Sequence, residues 1–399
     1  MRTILFLGLL TFLLMFSVAM VYPVMRPFVV DRFDATYAQA SLFVSANLLA
    51  YVIFAVIWGA LSDKAGVRRP FIIAGLLGNG VMMFLVAQAD SLGALLALRF
   101  VEGAFSIMAF SLIMTSALDQ ARAVRIGEGV GVVAMCFALG NAFGSPIGGR
   151  LGSMDPLYPF YAGSLILLCA GAAAFFFLRD AERMTCAPSL RSAFELLFRE
   201  RRLMVPYAFS FVDRFTVGFF VSVFPLYLGA VHGAEPAAIG MLMFAFLLPF
   251  GLLQYPGGLL SERVGRAKPI IIGSVAYGLC TMAIGFLDIA LITPVMIVGG
   301  MFGALMFAPS AALTGDIAPE NKRGAAMGGF NFFGSLGFVI GPFAGGLIAD
   351  RYGFGASFAF AGGAEILVAL LFIPALIRIS AEFRPRPLYA PAEKERATE

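Results

Sequence analysis

Apolar residues gather along this chain in twelve long runs, parted by short connections that hold most of the charge. The runs cover residues 3–25, 38–61, 70–89, 92–115, 127–149 and 158–178, then 203–228, 237–260, 269–287, 289–313, 324–348 and 356–377. Each is close to the ~20 apolar residues a helix needs to cross a hydrocarbon core. Lipid offers no partner to a bare backbone amide, so every run predicts a helix. Glycine and proline inside the runs fit this reading, because small residues let membrane helices approach closely. Arg2 and Ser17-Val18-Ala19 give the first run a signal-peptide pattern. Its removal would leave eleven runs and break the symmetry described below, so it is read as a retained span.

Composition supports the same class. Of 399 residues 60% are hydrophobic and 13% charged, against about 25% charged in a soluble domain. A water-soluble fold and a disordered chain are both excluded. The formal charge of +4 is too even for a nucleic-acid surface. Cys136, Cys169, Cys186 and Cys280 form no close-spaced pair, and His232 is the sole histidine, in a connection where a surface position is expected. No metal or other cofactor is expected, and no nucleophile–base–orienter set can be assembled for an enzyme. None of the four lysines precedes Ser or Thr, so a nucleotide-driven motor is absent too.

Basic residues set the orientation. If the amino terminus is cytoplasmic, 22 of the 28 Lys and Arg fall on that side, among them Arg122, Arg125, Arg183, Arg384, Arg386, Lys394 and Arg396. Only Arg26, Arg32, Arg150 and Arg351 lie opposite, and Arg26 can snorkel to its interface. The expectation is a multi-pass, monomeric protein of a plasma membrane of the bacterial inner-membrane type, with both termini cytoplasmic. The longest connection parts an N-terminal six-helix bundle, 1–178, from a second, 203–378, followed by a tail, 379–399. Within the 179–202 linker, Leu190, Phe194, Leu197 and Phe198 recur at helical spacing, which suits a short helix on the membrane surface or a solvated linker helix.

A shift of 199 residues aligns two segments, one after the second run and one after the eighth. Gly59, Asp63, Lys64, Gly66, Arg68 and Arg69 stand in the first; Gly258, Glu262, Arg263 and Gly265 stand at the matching places of the other. Two copies half a chain apart indicate a duplicated chain. These segments resemble motif A of the major facilitator superfamily, G-x-L-x-D-[KR]-x-G-[RK]-[RK]. Gly337, Gly341, Pro342, Gly345 and Gly346 resemble its motif C. Gly140, Gly144, Pro146, Gly148 and Gly149 form a looser copy, with Ser145 between glycine and proline. Arg99, Glu102 and Gly103 resemble motif B of the drug:proton antiporter branch with twelve spans. The resemblance implies two pseudo-symmetric six-helix bundles and an inner lock in which Asp63 meets the start of the eleventh span near Gly324. A purely topological role for Lys64 and Arg68 is the alternative, and the motif C residues can serve packing and a bend alone.

Five charges fall within the runs: Arg99, Glu102, Asp213, Arg214 and Glu365. Each costs roughly 2.5–3.5 kcal/mol at mid-helix unless paired or wet. Arg99 and Glu102 share a helix face, whereas Asp213 and Arg214 point about 100° apart. A carboxylate that gains and loses a proton as a cavity opens and closes could couple transport to a proton gradient, and Asp213 and Glu102 fit best. A buried ion pair that only fixes packing is the alternative at each site. Tyr22, Asn47, Phe215, Phe219, Gln254 and Asn331 are candidates for lining a substrate cavity. The function expected is alternating-access transport, with proton-coupled efflux of small amphipathic or drug-like compounds as its leading form. A metabolite, sugar or lipid carrier, or a non-transporting receptor of the same fold, remains the alternative. The partners expected are a small-molecule substrate, protons and the lipid bilayer.

Overall fold

The computed structural model describes residues 2–121, 126–180, 190–319 and 322–382. Arg122, Arg125, Arg183, Cys186 and the tail with Arg384, Arg386, Lys394 and Arg396 lie outside the described residues, as does the greater part of the tail segment 379–399. The helices are α1 (Arg2–Ala19), α2 (Tyr37–Ala65), α3 (Arg69–Ala87), α4 (Leu92–Ala121), α5 (Ile126–Gly152) and α6 (Tyr158–Phe177). They continue with α7 (Leu190–Arg199), α8 (Met204–Val231), α9 (Pro236–Val264), α10 (Ala267–Ile284), α11 (Ile289–Ile317) and α12 (Arg323–Glu382). All but α7 are long and apolar enough to cross a membrane, eleven among the described residues. The runs expected at 324–348 and 356–377 fall in the two helical arms of α12, which meet at a kink. Gly353, at φ +82°, breaks α12 into two arms by a backbone turn that a side chain would resist.

Local sequence explains the helix ends. Thr36 opens α2 with a capping box: its hydroxyl accepts from the Gln39 amide, while the Gln39 side chain accepts from the Thr36 amide. Gly66, at φ +67°, closes the same helix in the left-handed conformation, which explains the glycine of the first motif copy. Between α1 and α2, Arg32 donates to the carbonyls of Ala87 (3.1 Å) and Ala89 (2.9 Å), placing a cation at the carboxyl end of α3. Arg26 does more than snorkel. Its guanidinium donates to the Gly229 carbonyl near the end of α8 and lies 3.8 Å from Asp31.

The two parts of the chain repeat one set of neighbours. α1 packs on α5 as α8 packs on α12; α2 packs on α4 as α9 packs on α11. α3 lies against α4 and α6, and α10 lies against α11 and α12. Glycines bring these pairs together. In α5, Gly140, Gly144 and Gly148 abut backbone atoms of Phe12, Phe16 and Met20. In α12, Gly337 and Gly341 abut those of Phe211 and Phe215. The last glycine of each motif C segment turns to a different neighbour. Gly149 meets Pro236 of α9, and Gly346 meets Tyr37 and Ser41 of α2. One glycine of each adjacent pair thus builds its own half, and the other joins the halves.

The halves meet along two seams, α2 with α12 and α5 with α9. Both seams close at the face remote from the base-rich connections, here the far face. Ser45 donates to the Val339 carbonyl (2.8 Å), the Tyr37 and Ala38 amides donate to Asp350 (2.8 and 2.9 Å), and the Ala237 amide donates to the Ser153 hydroxyl (3.0 Å). Toward the basic face the same helix stripes lose contact. On α2 the line through Ala38, Ser41 and Ser45 runs on to Val56, which is exposed, and to Gly59, beside open space. On α12 the line through Gly346 and Val339 runs on to exposed Asn331 and to Gly328, again beside open space. Met135 and Gly131 on α5 and Tyr255 on α9 follow the same rule. A cleft therefore opens between the halves toward the basic face.

α7 docks by its apolar side. Leu196 is buried, and the Phe194 ring packs edge-on against Phe332 (5.4 Å) and Phe333 (6.3 Å) of α12, while Phe198 stays exposed. Just beyond, Arg202 donates to Glu200 (2.6 and 2.8 Å) and Glu382 (2.6 Å), and this cation holds the Glu200 carboxyl below the usual carboxylate range.

Candidate functional site

At the basic face each half carries an acid–base–acid cluster. Arg68 pairs with Asp63 (3.3 Å) and Asp119 (2.6 Å), and Asp180 caps the start of α3 by accepting from the amides of Arg68 (2.9 Å) and Arg69 (2.8 Å). In the other half Arg266 pairs with Asp316 (2.9 Å) and lies 4.0 Å from Glu262. The first motif copy thus joins α2, α3, α4 and the end of α6, while Gly324, expected beside Asp63, is exposed. Asp119, Asp180 and Asp316 were missed in the sequence, where an acid at a span end reads as an ordinary interfacial charge. The recurrence of an acid just past the fourth and tenth runs, Asp119 and Asp316, was the available signal.

The two clusters differ in burial, which sets their energetic weight. The side chains of Arg68 and Asp119 are 3% and 1% exposed, those of Arg266 and Asp316 14% and 33%. Arg68→Ala should therefore destabilise the detergent-solubilised protein by about 3 kcal/mol or more, because it strips a buried carboxylate of a cation. Arg266→Ala should cost about 1 kcal/mol or less. Melting curves of the two variants side by side check this; equal losses would refute the difference.

Deeper in the first half, Arg99 and Glu102 form a hydrogen-bonded ion pair one turn apart on α4. Both are sealed from solvent, at 1% and 0% exposure. The guanidinium lies 4.2 Å from the Phe43 ring centre, and its Nε donates to the Phe43 carbonyl (3.3 Å). Asn47 donates to the Arg99 carbonyl (3.4 Å), and Gly103 abuts the Asn47 carbonyl, drawing α4 against α2. Among the described residues the second oxygen of Glu102 has no hydrogen-bond partner. Tyr22 and Asn47, expected to line a cavity, are both buried.

The second half holds Asp213, Arg214 and Glu365. Glu365 is fully buried and accepts from Thr216 (3.0 Å) and Ser274 (3.1 Å), which ties α8, α10 and the second arm of α12 together. Asp213 is buried within electrostatic range of Glu365, and its Oδ1 has no hydrogen-bond partner among the described residues. Arg214 stays within electrostatic range of Asp213 while its guanidinium donates to Asn331 Oδ1 (2.9 Å). Phe215 and Phe219, expected at the substrate, are both buried in this half; Phe219 lies against Gly345 and also lines a small apolar cavity with Thr216, Phe220, Phe246 and Tyr277. Phenylalanine carries no polar atom that would tell a core position from a cavity wall. Gln254 and Asn331 do lie on stripes that face the cleft.

Helices duplicated in their neighbours, seams that close at one face only and buried charges beside a cleft define a membrane carrier. The family model described as Major Facilitator Superfamily matches residues 7–212 and again 203–397. The chain belongs to that superfamily: it is a multi-pass membrane transporter of small molecules. It is 34% identical over 173 residues to an uncharacterized MFS-type transporter of Methanocaldococcus jannaschii, covering 43% of this chain and 45% of that one. The chain thus spans less than half the length of that relative. It is 28% identical over 315 residues to the class G tetracycline resistance protein of Vibrio anguillarum, covering 75% and 77% of the two chains. The crystal structure of a mutant of the nucleoside transporter NupG shares the fold with a TM-score of 0.82 at 15% identity, covering 94% and 99%.

Proposed function

We propose that this transporter exports small amphipathic or drug-like compounds from the cytoplasm in exchange for protons, by alternating access. It works in the plasma membrane as a monomer with both termini cytoplasmic. In this reading α12 crosses twice, giving twelve spans in two bundles, 1–178 and 203–378, with 179–202 as linker and 379–399 as tail. The basic face is cytoplasmic, and the cleft is the inward-open form of the substrate path.

The observation that carries the proton reading is the set of buried carboxyl groups Glu102, Asp213 and Glu365, walled off beside a cleft that only one face reaches. Glu365 supplies the sharpest detail. Thr216 Oγ1 lies 3.0 Å from both the Val212 carbonyl and Glu365 Oε2. Glu365 accepts from this hydroxyl and from that of Ser274, and no ion pair among the described residues gives it a counter-charge. The likeness to a tetracycline resistance protein supports the drug-like class of solute.

The test is counterflow and gradient-driven uptake in proteoliposomes, with tetracycline and a panel of amphipathic dyes. Flux accelerated by an opposing pH gradient is expected. Flux indifferent to the gradient would refute the proton, and absence of flux across the panel would refute the solute class.

A further inference from the structure

We infer that Arg214, held in place by Asn331, recognises the anionic end of an amphipathic solute, a carboxylate or a group of like shape and charge. The inference rests on the transporter reading and narrows its solute. Of the five charged groups expected inside the spans, Arg99, Glu102, Asp213 and Glu365 are each at most 2% exposed, whereas Arg214 is half-buried. It sits ten residues into α8, about 15 Å along the helix axis, so its guanidinium is far from either membrane surface. A half-exposed cation at that depth is costly against lipid and tolerable against water. Its partner tells which it meets: Asn331 is exposed on the α12 stripe that joins the halves near the far face and borders the cleft here.

The cation is oriented as well as wet. Asn331 Oδ1 accepts one of its N–H groups at 2.9 Å, and the Phe307 ring of α11 lies 5.6 Å from its carbon. Gly334 makes room for it, since a Cβ there would fall 2.7 Å from Arg214 Cδ and 2.9 Å from Nε. A guanidinium carries five N–H donors in a planar fork that matches a carboxylate edge. None of the ion pairs among the described residues involves Arg214; Asp213, its buried neighbour in sequence, attracts it only through space, without a direct contact to its N–H fork. The half-buried ring of Phe307 supplies an apolar wall beside the cation. One oriented positive charge next to aromatic surface selects an amphipathic anion and repels an amphipathic cation.

The test measures equilibrium binding of three matched probes, radiolabelled naphthylacetate, naphthylacetamide and naphthylethylammonium, to the full-length protein in detergent. The carboxylate should bind about tenfold or more tightly than the amide, the worth of a charged hydrogen bond, and the ammonium should bind most weakly. Arg214→Gln should abolish that preference while leaving the amide's affinity in place. Asn331→Asp keeps the arginine but sets a carboxylate against it, and should abolish the preference independently should Arg214→Gln fail to fold. Amide or ammonium binding as tightly as carboxylate, a preference that survives both variants, or no binding by any probe overturns the inference. Counterflow of the same probes separates the two readings. Selective binding without flux sinks the transporter proposal alone, and flux without charge preference sinks this one alone.

Discussion

Gly346→Val should trap the carrier with its far face open and abolish transport. A Cβ at Gly346 would stand 2.5 Å from both the Tyr37 carbonyl oxygen and the Ser41 hydroxyl oxygen, and 2.8 Å from the Ala38 Cα. Most of these atoms are backbone and cannot rotate aside, so the seam between α2 and α12 must part. Overpacking of this kind costs about 1–3 kcal/mol, and all of it falls on the far-closed state. The population should therefore shift toward far-open by about tenfold to a hundredfold. A cysteine at Ser222 reports the shift, because the Ser222 hydroxyl is buried against Ser41 (3.0 Å) when the seam is shut. In a chain whose native cysteines are serine, Ser222→Cys should react with a membrane-impermeant maleimide from the far face much faster beside Gly346→Val than beside Gly346. An unchanged rate would refute the account of the seam.

Removing Glu102 alone should be among the most damaging changes to folding, and removing Arg99 with it should repair the fold but not the coupling. Glu102→Leu leaves the Arg99 guanidinium buried at 1% exposure without its counter-charge, a loss of about 3–5 kcal/mol. Arg99→Met combined with Glu102→Leu replaces both charges by apolar groups of similar volume, which is often neutral for stability. The double variant should elute as a monodisperse species and melt near the parent, yet show no acceleration of flux by a pH gradient. Should it keep gradient-driven flux, the pair serves packing alone, and Asp213 and Glu365 remain to carry the proton.

Most of the fold was legible in the chain because lipid permits so few solutions. Run length and the 199-residue repeat led to helices whose neighbours recur, and the last two runs appear as two arms parted at Gly353. The site was legible only in part. Charges inside apolar runs announce themselves by their cost, so Arg99, Glu102, Asp213, Arg214 and Glu365 stood out. Which of them meets water was hidden, since it depends on where two helix stripes part, and that follows from glycine contacts across the chain. The same limit explains why the burial of Phe215 and Phe219 and the capping role of Asp350 were not visible in the chain.

Asp350 has a partner in kind but not in charge. At one seam an exposed carboxylate receives the first amides of α2, and at the other the neutral Ser153 hydroxyl receives an amide of α9. An anion at a helix amino end contributes about 0.3–1 kcal/mol at low ionic strength, and dissolved ions weaken it over a Debye length of about 10 Å at 0.1 M. One hinge line of this carrier is therefore held by an attraction the surrounding electrolyte can loosen, while its twin is indifferent to salt. Brine on the far side should tilt the resting balance toward the far-open form by unfastening a single edge first.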